Sequence, residues 1–287
     1  MEFTPAELVL NSDNSVYHLA LHANEVAEKV ILVGDPGRVA MVASHFDEIE
    51  VKRHKREFVT HTGWFKGKRI SVVSTGIGTD NIDIVLNELD ILAGVDLEKR
   101  ERLESKRKLR FVRLGTCGIL QENIPVGAFI QSRFAIGFDS LMHFYKLSSD
   151  YDTYHLSDQL KTYFSQKGLD LPFYLSAEQG SFDLRIPERH IGITATLPGF
   201  YGPQGRVVNA EPKHTEFLQT LNGFSSEQHL RLVNFEMECS GLFGLAAVLG
   251  HDATTVCLGL ANRITGEFLK EPKDRMEQLI EDVIEAI

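Results

Sequence analysis

Cysteine is scarce. The 287 residues hold three, Cys117, Cys239 and Cys257, each in an apolar or glycine-rich context and none at metal-ligand spacing. That excludes a disulfide scaffold and a Cys/His metal cluster, and points to reduced thiols in a cytoplasmic protein. Long apolar runs are missing too. The longest, 242–250, is far too short to cross a bilayer. The opening Met1-Glu2-Phe3-Thr4-Pro5-Ala6-Glu7 lacks the basic start of a secretory signal. Positive charge is in deficit: 30 Lys and Arg face 40 Asp and Glu, a net charge of −10. A general nucleic-acid-binding surface is therefore not expected, and any anion must be held by a local arginine cluster. No internal repeat occurs. Neither the phosphate-loop pattern Gly-x4-Gly-Lys-Ser/Thr nor the dinucleotide pattern Gly-x-Gly-x-x-Gly is present, so nothing directly supports a triphosphatase or a dinucleotide enzyme.

What is present is an ordinary globular composition, 43% apolar and 24% charged, with strands and helices in alternation. The β-branched run 30–33 reads as a strand buried on both faces and stopped by Gly34-Asp35-Pro36. A helix is expected over 38–46. A hairpin is expected from 57–62 to 68–73 around the turn 63–67. Residues 81–93 have helical periodicity, with Ile82, Val85, Leu86, Leu89 and Leu92 on one face. Further strands are expected at 111–114, 128–131, 190–196 and 253–260. Further helices are expected at 152–166, 235–249 and 271–287. The charged stretch 96–110 reads as a solvated helix extension or surface loop. The class is α/β, a single domain over 1–287 with a central mixed sheet flanked by helices.

Glycine-bearing turns are expected after three of the strands: Gly34-Asp35-Pro36-Gly37-Arg38, Gly76-Ile77-Gly78 and Gly115-Thr116-Cys117-Gly118. In open α/β sheets ligands bind at the carboxyl ends of the strands. Arg38 and Arg113 border two of these turns and could grip a phosphate dianion bidentately. Arg113 lies inside an apolar strand, where a charged guanidinium needs an anion. That anion is a substrate, or a carboxylate of the chain, unless the side chain reaches solvent. Glu236-Met237-Glu238 is expected to open an apolar helix. Glu236 can be a dipole-complementing residue, whereas Glu238 enters a packed region and needs hydroxyl or N–H partners, which a ribose would supply. Met237 offers a surface for a sugar face or plain core. Gln204 and Arg206 combine an acceptor with several donors. They suit a planar ring with alternating carbonyl and N–H groups, such as uracil, with Phe200 to stack on it, or else form an exposed polar loop.

Together these residues resemble the nucleoside phosphorylase family (NP-I type), and within it the uridine phosphorylases. The resemblance runs in order through Tyr17-His18-Leu19, Gly34-Asp35-Pro36-Gly37-Arg38, Lys55-Arg56-Glu57-Phe58, Ser74-Thr75-Gly76-Ile77-Gly78, Arg113-Leu114-Gly115-Thr116-Cys117-Gly118, Phe200-Tyr201-Gly202-Pro203-Gln204-Gly205-Arg206, Phe235-Glu236-Met237-Glu238 and Asn262-Arg263. It implies reversible phosphorolysis of a pyrimidine nucleoside, most readily uridine, in nucleoside salvage or catabolism. Inorganic phosphate would be the co-substrate, with no cofactor and no catalytic metal. Gly34, Arg38, Arg113 and Thr116 would hold phosphate, joined by Arg56 of a neighbouring subunit. Met237 and Glu238 would hold the ribose, and His18 of the neighbour the 5′-hydroxyl. Phe200, Gln204, Arg206 and Arg263 would form the base site. The family implies a homodimer or a trimer of dimers with shared sites. Some relatives hold a monovalent cation near positions matching Glu57 and Ser74, and that point stays open here. Residues 96–110 look like a charged insertion. Gly-Pro-Gln-Gly-Arg replaces the usual Pro-Gly-Gln-Glu-Arg, and purine-specific members carry aspartate where this chain has Asn262-Arg263. The alternatives are a purine phosphorylase or a nucleosidase on the same scaffold, or a non-catalytic nucleoside-binding protein.

Overall fold

The structure is a computed structural model that describes residues 2–182 and 184–287. In chain order it runs β1 (Lys29–Val33), α1 (Pro36–Ala43), β2 (Glu48–Lys55), β3 (Phe58–Phe65), β4 (Lys68–Ser74), α2 (Thr79–Gly94), β5 (Val95–Asp96), β6 (Glu101–Arg102), β7 (Arg110–Ile119) and β8 (Phe129–Gly137). It continues through α3 (Tyr151–Gln166), β9 (Tyr174–Ala177), β10 (His190–Thr196), α4 (Phe217–Asn222), β11 (Leu232–Glu236), α5 (Cys239–Leu249), β12 (Asp252–Asn262) and α6 (Pro272–Ala286).

Ten strands form one mixed sheet. Its order is β11-β10-β8-β12-β7-β1-β4-β3-β2, with β9 added on β8. β11 also pairs antiparallel with β7, through Asn234 with Ile119 and Phe235 with Gly118. The path from β7 through β12, β8, β10 and β11 therefore returns to β7, and that half of the sheet closes on itself. The other half stays open, and β1 pairs parallel with both β4 and β7.

Three apolar layers clamp this sheet. Helices α2 and α5 bury Ile82, Leu86, Leu89, Leu242 and Phe243 on one face. α1 and α6 bury Val39, Val42, Leu279, Ile280 and Val283 on the other. α3 and α4 pack Leu160, Phe164 and Leu221 against β10 and β11. The helix starts follow local chemistry. Asp35 caps α1, its carboxylate accepting from Gly37 N at 2.8 Å, and Pro36 takes the first turn, where its missing N–H costs nothing.

Four expectations need correction. Gly115-Thr116-Cys117-Gly118 is not a turn: β7 continues to Ile119 because β12 stays in register beside it, Cys257 opposite Gly115 and Leu258 opposite Thr116. The stretch 235–249 is not one helix. Phe235 and Glu236 end β11, drawn into the sheet by pairing with β10 and β7, and the helix starts at Cys239. The hairpin turn is shorter than 63–67. Gly63, Trp64 and Phe65 belong to β3, leaving Lys66 and Gly67 to turn with φ of 48° and 76°. Residues 96–110 hold no helix extension. Val95–Asp96 pairs with Glu101–Arg102, and the following coil is tied down by Arg107, which donates to the carbonyls of Ala23, Leu92 and Val26.

Candidate active site

The strand ends of β1, β4, β7, β11 and β12 converge on a cavity of about 730 Å³. Its floor is ionic. Arg113 on β7 is 4% exposed and lies between two carboxylates: Nη1 is 3.1 Å from Glu236 Oε2, and Nη2 donates to Glu238 Oε2. Burial alone would disfavour its charge. The carboxylates of Glu238 and Glu236 more than offset that and hold the guanidinium above its ordinary range. Gly115 makes the arrangement possible, since a Cβ there would collide with the Arg113 guanidinium and sit 2.7 Å from Cys257 Sγ.

Glu236 is the most constrained carboxylate. Thr196 Oγ1 donates to it at 2.7 Å, the backbone N–H of Glu238 at 2.8 Å and that of Cys239 at 2.9 Å. Burial raises its pKa to about 6; Arg113 opposes the shift and Glu238 adds to it. Glu238 is less enclosed by donors. One oxygen meets Arg113 and the other accepts from Gly78 N at 2.7 Å. That N–H is available because Gly76 and Gly78 take φ of 72° and 92°, which turns the chain sharply from β4 into α2. Arg38, on the first turn of α1, reaches across to Leu114 O at 3.3 Å. Burial lowers its pKa, and the neighbouring Arg113 charge lowers it further. Two arginines thus sit side by side, with carboxylates on one flank.

A loop after β10 supplies another part of the wall. Gln204 is 3% exposed and closes a short 3-10 turn, Gly202–Gln204. Arg206 Nη1 donates to Gln204 Oε1 at 2.6 Å and to Phe200 O at 2.5 Å, and its guanidinium lies 3.6 Å from the centroid of the Phe200 ring. Arg263 Nη1 holds the loop from behind, donating to Gln204 O at 3.1 Å. Burial lowers the pKa of both Arg206 and Arg263. With Oε1 taken by Arg206, Gln204 Nε2 makes no hydrogen bond to the described residues. This part of the wall is rich in unspent donors, which suits an acceptor-bearing or anionic ring edge.

Paired arginines, carboxylates and a donor-rich aromatic loop thus line one chamber. Residues 28–287 match the sequence profile of the phosphorylase superfamily. The chain belongs to that superfamily. It is 32% identical over 269 residues to a uridine phosphorylase of Thermococcus kodakarensis, spanning 94% of this chain and 85% of the relative. It is 30% identical over 250 residues to a DeoD-type purine nucleoside phosphorylase of Alkaliphilus metalliredigens, 87% of this chain and 88% of that one. A solved Trypanosoma brucei nucleoside phosphorylase, described as showing uridine phosphorylase activity, superposes with a TM-score of 0.86 at 28% identity. It covers 97% of this chain and 98% of that one.

Within this phosphorylase chamber stand Gly34, Arg38, Arg113, Thr116, Phe200, Gln204, Arg206, Met237 and Glu238, all singled out in the sequence. Three others lie outside the lining. Arg263 backs the 200–206 loop. Arg56 is exposed in the turn between β2 and β3, with φ of 55°. The His18 ring is 2.7 Å from Glu88. Ser74 is spent locally, since its Oγ donates to Glu57 O at 2.6 Å and accepts from Val59 N at 2.7 Å. Asn262 reads no ligand in this chamber. Its amide donates to Gln121 O and Ile124 O at 2.9 Å each, and its oxygen accepts from Ile264 N and Thr265 N. Sequence reasoning missed Glu236 as a site residue, along with Asn81 and Phe268, which also line the cavity. Glu236 had a signal: a carboxylate at the end of an apolar run must find a cation. Phe268 lies in a loop without a motif, and nothing local marks it.

Proposed function

We propose that this phosphorylase catalyses the reversible phosphorolysis of a pyrimidine nucleoside, uridine first, giving uracil and ribose 1-phosphate. The observation that carries the reading is the set of groups lining one cavity: Arg38 and Arg113, Glu238, and Gln204 with Arg206. Phosphate sits with Arg38, Arg113 and the small residues Gly34 and Thr116. Arg113 is charged at any working pH and so meets the dianion without a protonation step. Glu238 accepts from the ribose hydroxyls, and Met237 packs on the sugar. A phosphate oxygen attacks C1′ as the C1′–N1 bond breaks, and the bonding pair leaves on the pyrimidine. Donors from Gln204 and Arg206 meet that developing negative charge. Held near C1′, the phosphate also gains the advantage of proximity. No covalent enzyme intermediate is needed, and with Ser74 already engaged the proposal needs no cation there.

The sites are shared between copies in this reading. His18 and Arg56 are not among the residues lining their own chain's cavity, and a second copy of the chain would supply them, in a homodimer or a trimer of dimers. None of the described helices is long and apolar enough to cross a membrane. Cys117, Cys239 and Cys257 are free and buried, which fits a reducing compartment such as the cytoplasm.

The test is incubation with uridine, thymidine and inosine, each with and without phosphate. Uracil is expected from uridine only when phosphate is present. Release without phosphate would mean a nucleosidase, inosine turnover would overturn the pyrimidine assignment, and no turnover at all would leave a nucleoside-binding protein. Shared sites are tested by mixing inactive Arg56→Ala with inactive Glu238→Ala protein, which should regain activity as mixed oligomers form.

A further inference from the structure

Glu88 lies on the buried face of α2, among Val85, Leu86 and Leu89, and its side chain is 10% exposed. An ionised carboxylate on an apolar helix face is costly unless strong donors meet it. Every donor recorded for Glu88 comes from one two-residue segment. Oε1 accepts from His18 N at 2.8 Å, Oε2 from Leu19 N at 2.7 Å, and the His18 ring Nδ1 stands 2.7 Å from Oε1. The backbone contacts alone would pin the loop. The ring contact does something more, because a carboxylate opposite Nδ1 requires a hydrogen on that nitrogen in either charge state of the imidazole. The ring is also held edge-on by Tyr17 at 4.9 Å and Phe58 at 6.3 Å between centroids. Nε2 makes no hydrogen bond to the described residues, and the side chain is 28% exposed.

We infer that Glu88 is a positioning residue for the reaction. It fixes the orientation and tautomer of His18, so that Nε2 is the nitrogen presented to the 5′-hydroxyl of a nucleoside held by a second copy of the chain. This rests on the function proposed above. The chemistry is simple: with Nδ1–H committed to Glu88, a neutral His18 offers Nε2 as an acceptor for that hydroxyl, and a protonated one offers a donor. Without Glu88 the ring can flip or exchange tautomers, and the 5′-hydroxyl loses a preset partner. The carboxylate touches no substrate and acts through His18.

The test compares kcat/KM for uridine and 5′-deoxyuridine, which lacks the hydroxyl. Glu88→Gln should lower the uridine value by about tenfold and leave 5′-deoxyuridine within about twofold, because one oriented hydrogen bond is lost. His18→Ala should show the same selectivity, and the double variant should be no worse than His18→Ala. If Glu88→Gln fails to fold, Glu88→Asp, with its carboxylate drawn back by one methylene, carries the same comparison. Equal losses on both substrates would mean that Glu88 is structural only and would overturn the inference. Additive losses in the double variant, or no selectivity in His18→Ala, would overturn it as well. A wild-type enzyme inactive on both nucleosides would instead sink the proposed function.

Discussion

Replacing Arg113 with methionine should strand two carboxylates in the floor of the site. At about 4 Å and an effective dielectric of about 20, one such pair is worth about 4 kcal/mol, and breaking a buried pair typically costs about 3–5 kcal/mol. Proton uptake caps the penalty. Glu236 has an ordinary value of 4.5. Keeping it neutral at about pH 7.5 therefore costs three units at 1.36 kcal/mol each, about 4 kcal/mol. The wild-type protein already carries about 2 kcal/mol of this, 1.5 units, because burial has raised the group to about 6. Glu236 thus adds about 2 kcal/mol. At about pH 5.5 the neutral form costs one unit, about 1.4 kcal/mol, nearly all of which wild type already bears. The sign follows from linkage. A carboxyl raised in the folded state lends stability that is complete below about 4.5 and is lost as pH climbs through its folded value. The Glu236 contribution should fall from about pH 4.5 to 6 in wild type, and in Arg113→Met it should go on falling to higher pH. Urea denaturation at the two pH values reads both effects. A penalty under about 1 kcal/mol at about pH 7.5, or one of equal size at both, would refute the ionic account of this floor.

Other positions give sharper single readings. Arg206→Met should lower kcat/KM for uridine by about 10²–10³-fold, followed by uracil release, with an unchanged denaturation midpoint, because the residue sits in a half-buried loop. Asn262→Asp removes the donors to Gln121 O and Ile124 O and should cost about 2–4 kcal/mol in chemical denaturation without creating inosine turnover. Gly137→Ala would drive a methyl into the Tyr174 ring and should lower thermal stability by about 1–3 kcal/mol.

Much of the fold was legible because its signals are local. The run Val30-Ile31-Leu32-Val33 reads as a doubly buried strand, and the spacing of Ile82, Val85, Leu86 and Leu89 as a helix face. The elements that were missed or misjudged depend on distant partners. Phe235 and Glu236 look helical beside Cys239–Leu249 until β10 and β7 claim their backbone. Gly115 through Gly118 look like a turn until β12 pairs with them. Glu48–Lys55 is exposed along much of its length and gives no burial rhythm; antiparallel pairing with β3 makes it a strand.

For the site, the residue types were decided by the chain alone. Arginines beside glycine turns, a Gln–Arg pair next to phenylalanine and carboxylates before a packed helix set what chemistry the protein can perform, because charge and hydrogen-bonding capacity are properties of each side chain. Which partner meets which was decided only by the tertiary structure. Arg113 was legible as a buried cation in need of an anion, but not that Glu236 and Glu238, more than a hundred residues away, would be its partners. Nor could the sequence show that Glu88 spends its hydrogen bonds on His18 and Leu19. Such pairings depend on strands from distant parts of the chain ending at the same place, and that convergence is set by the register of the whole sheet.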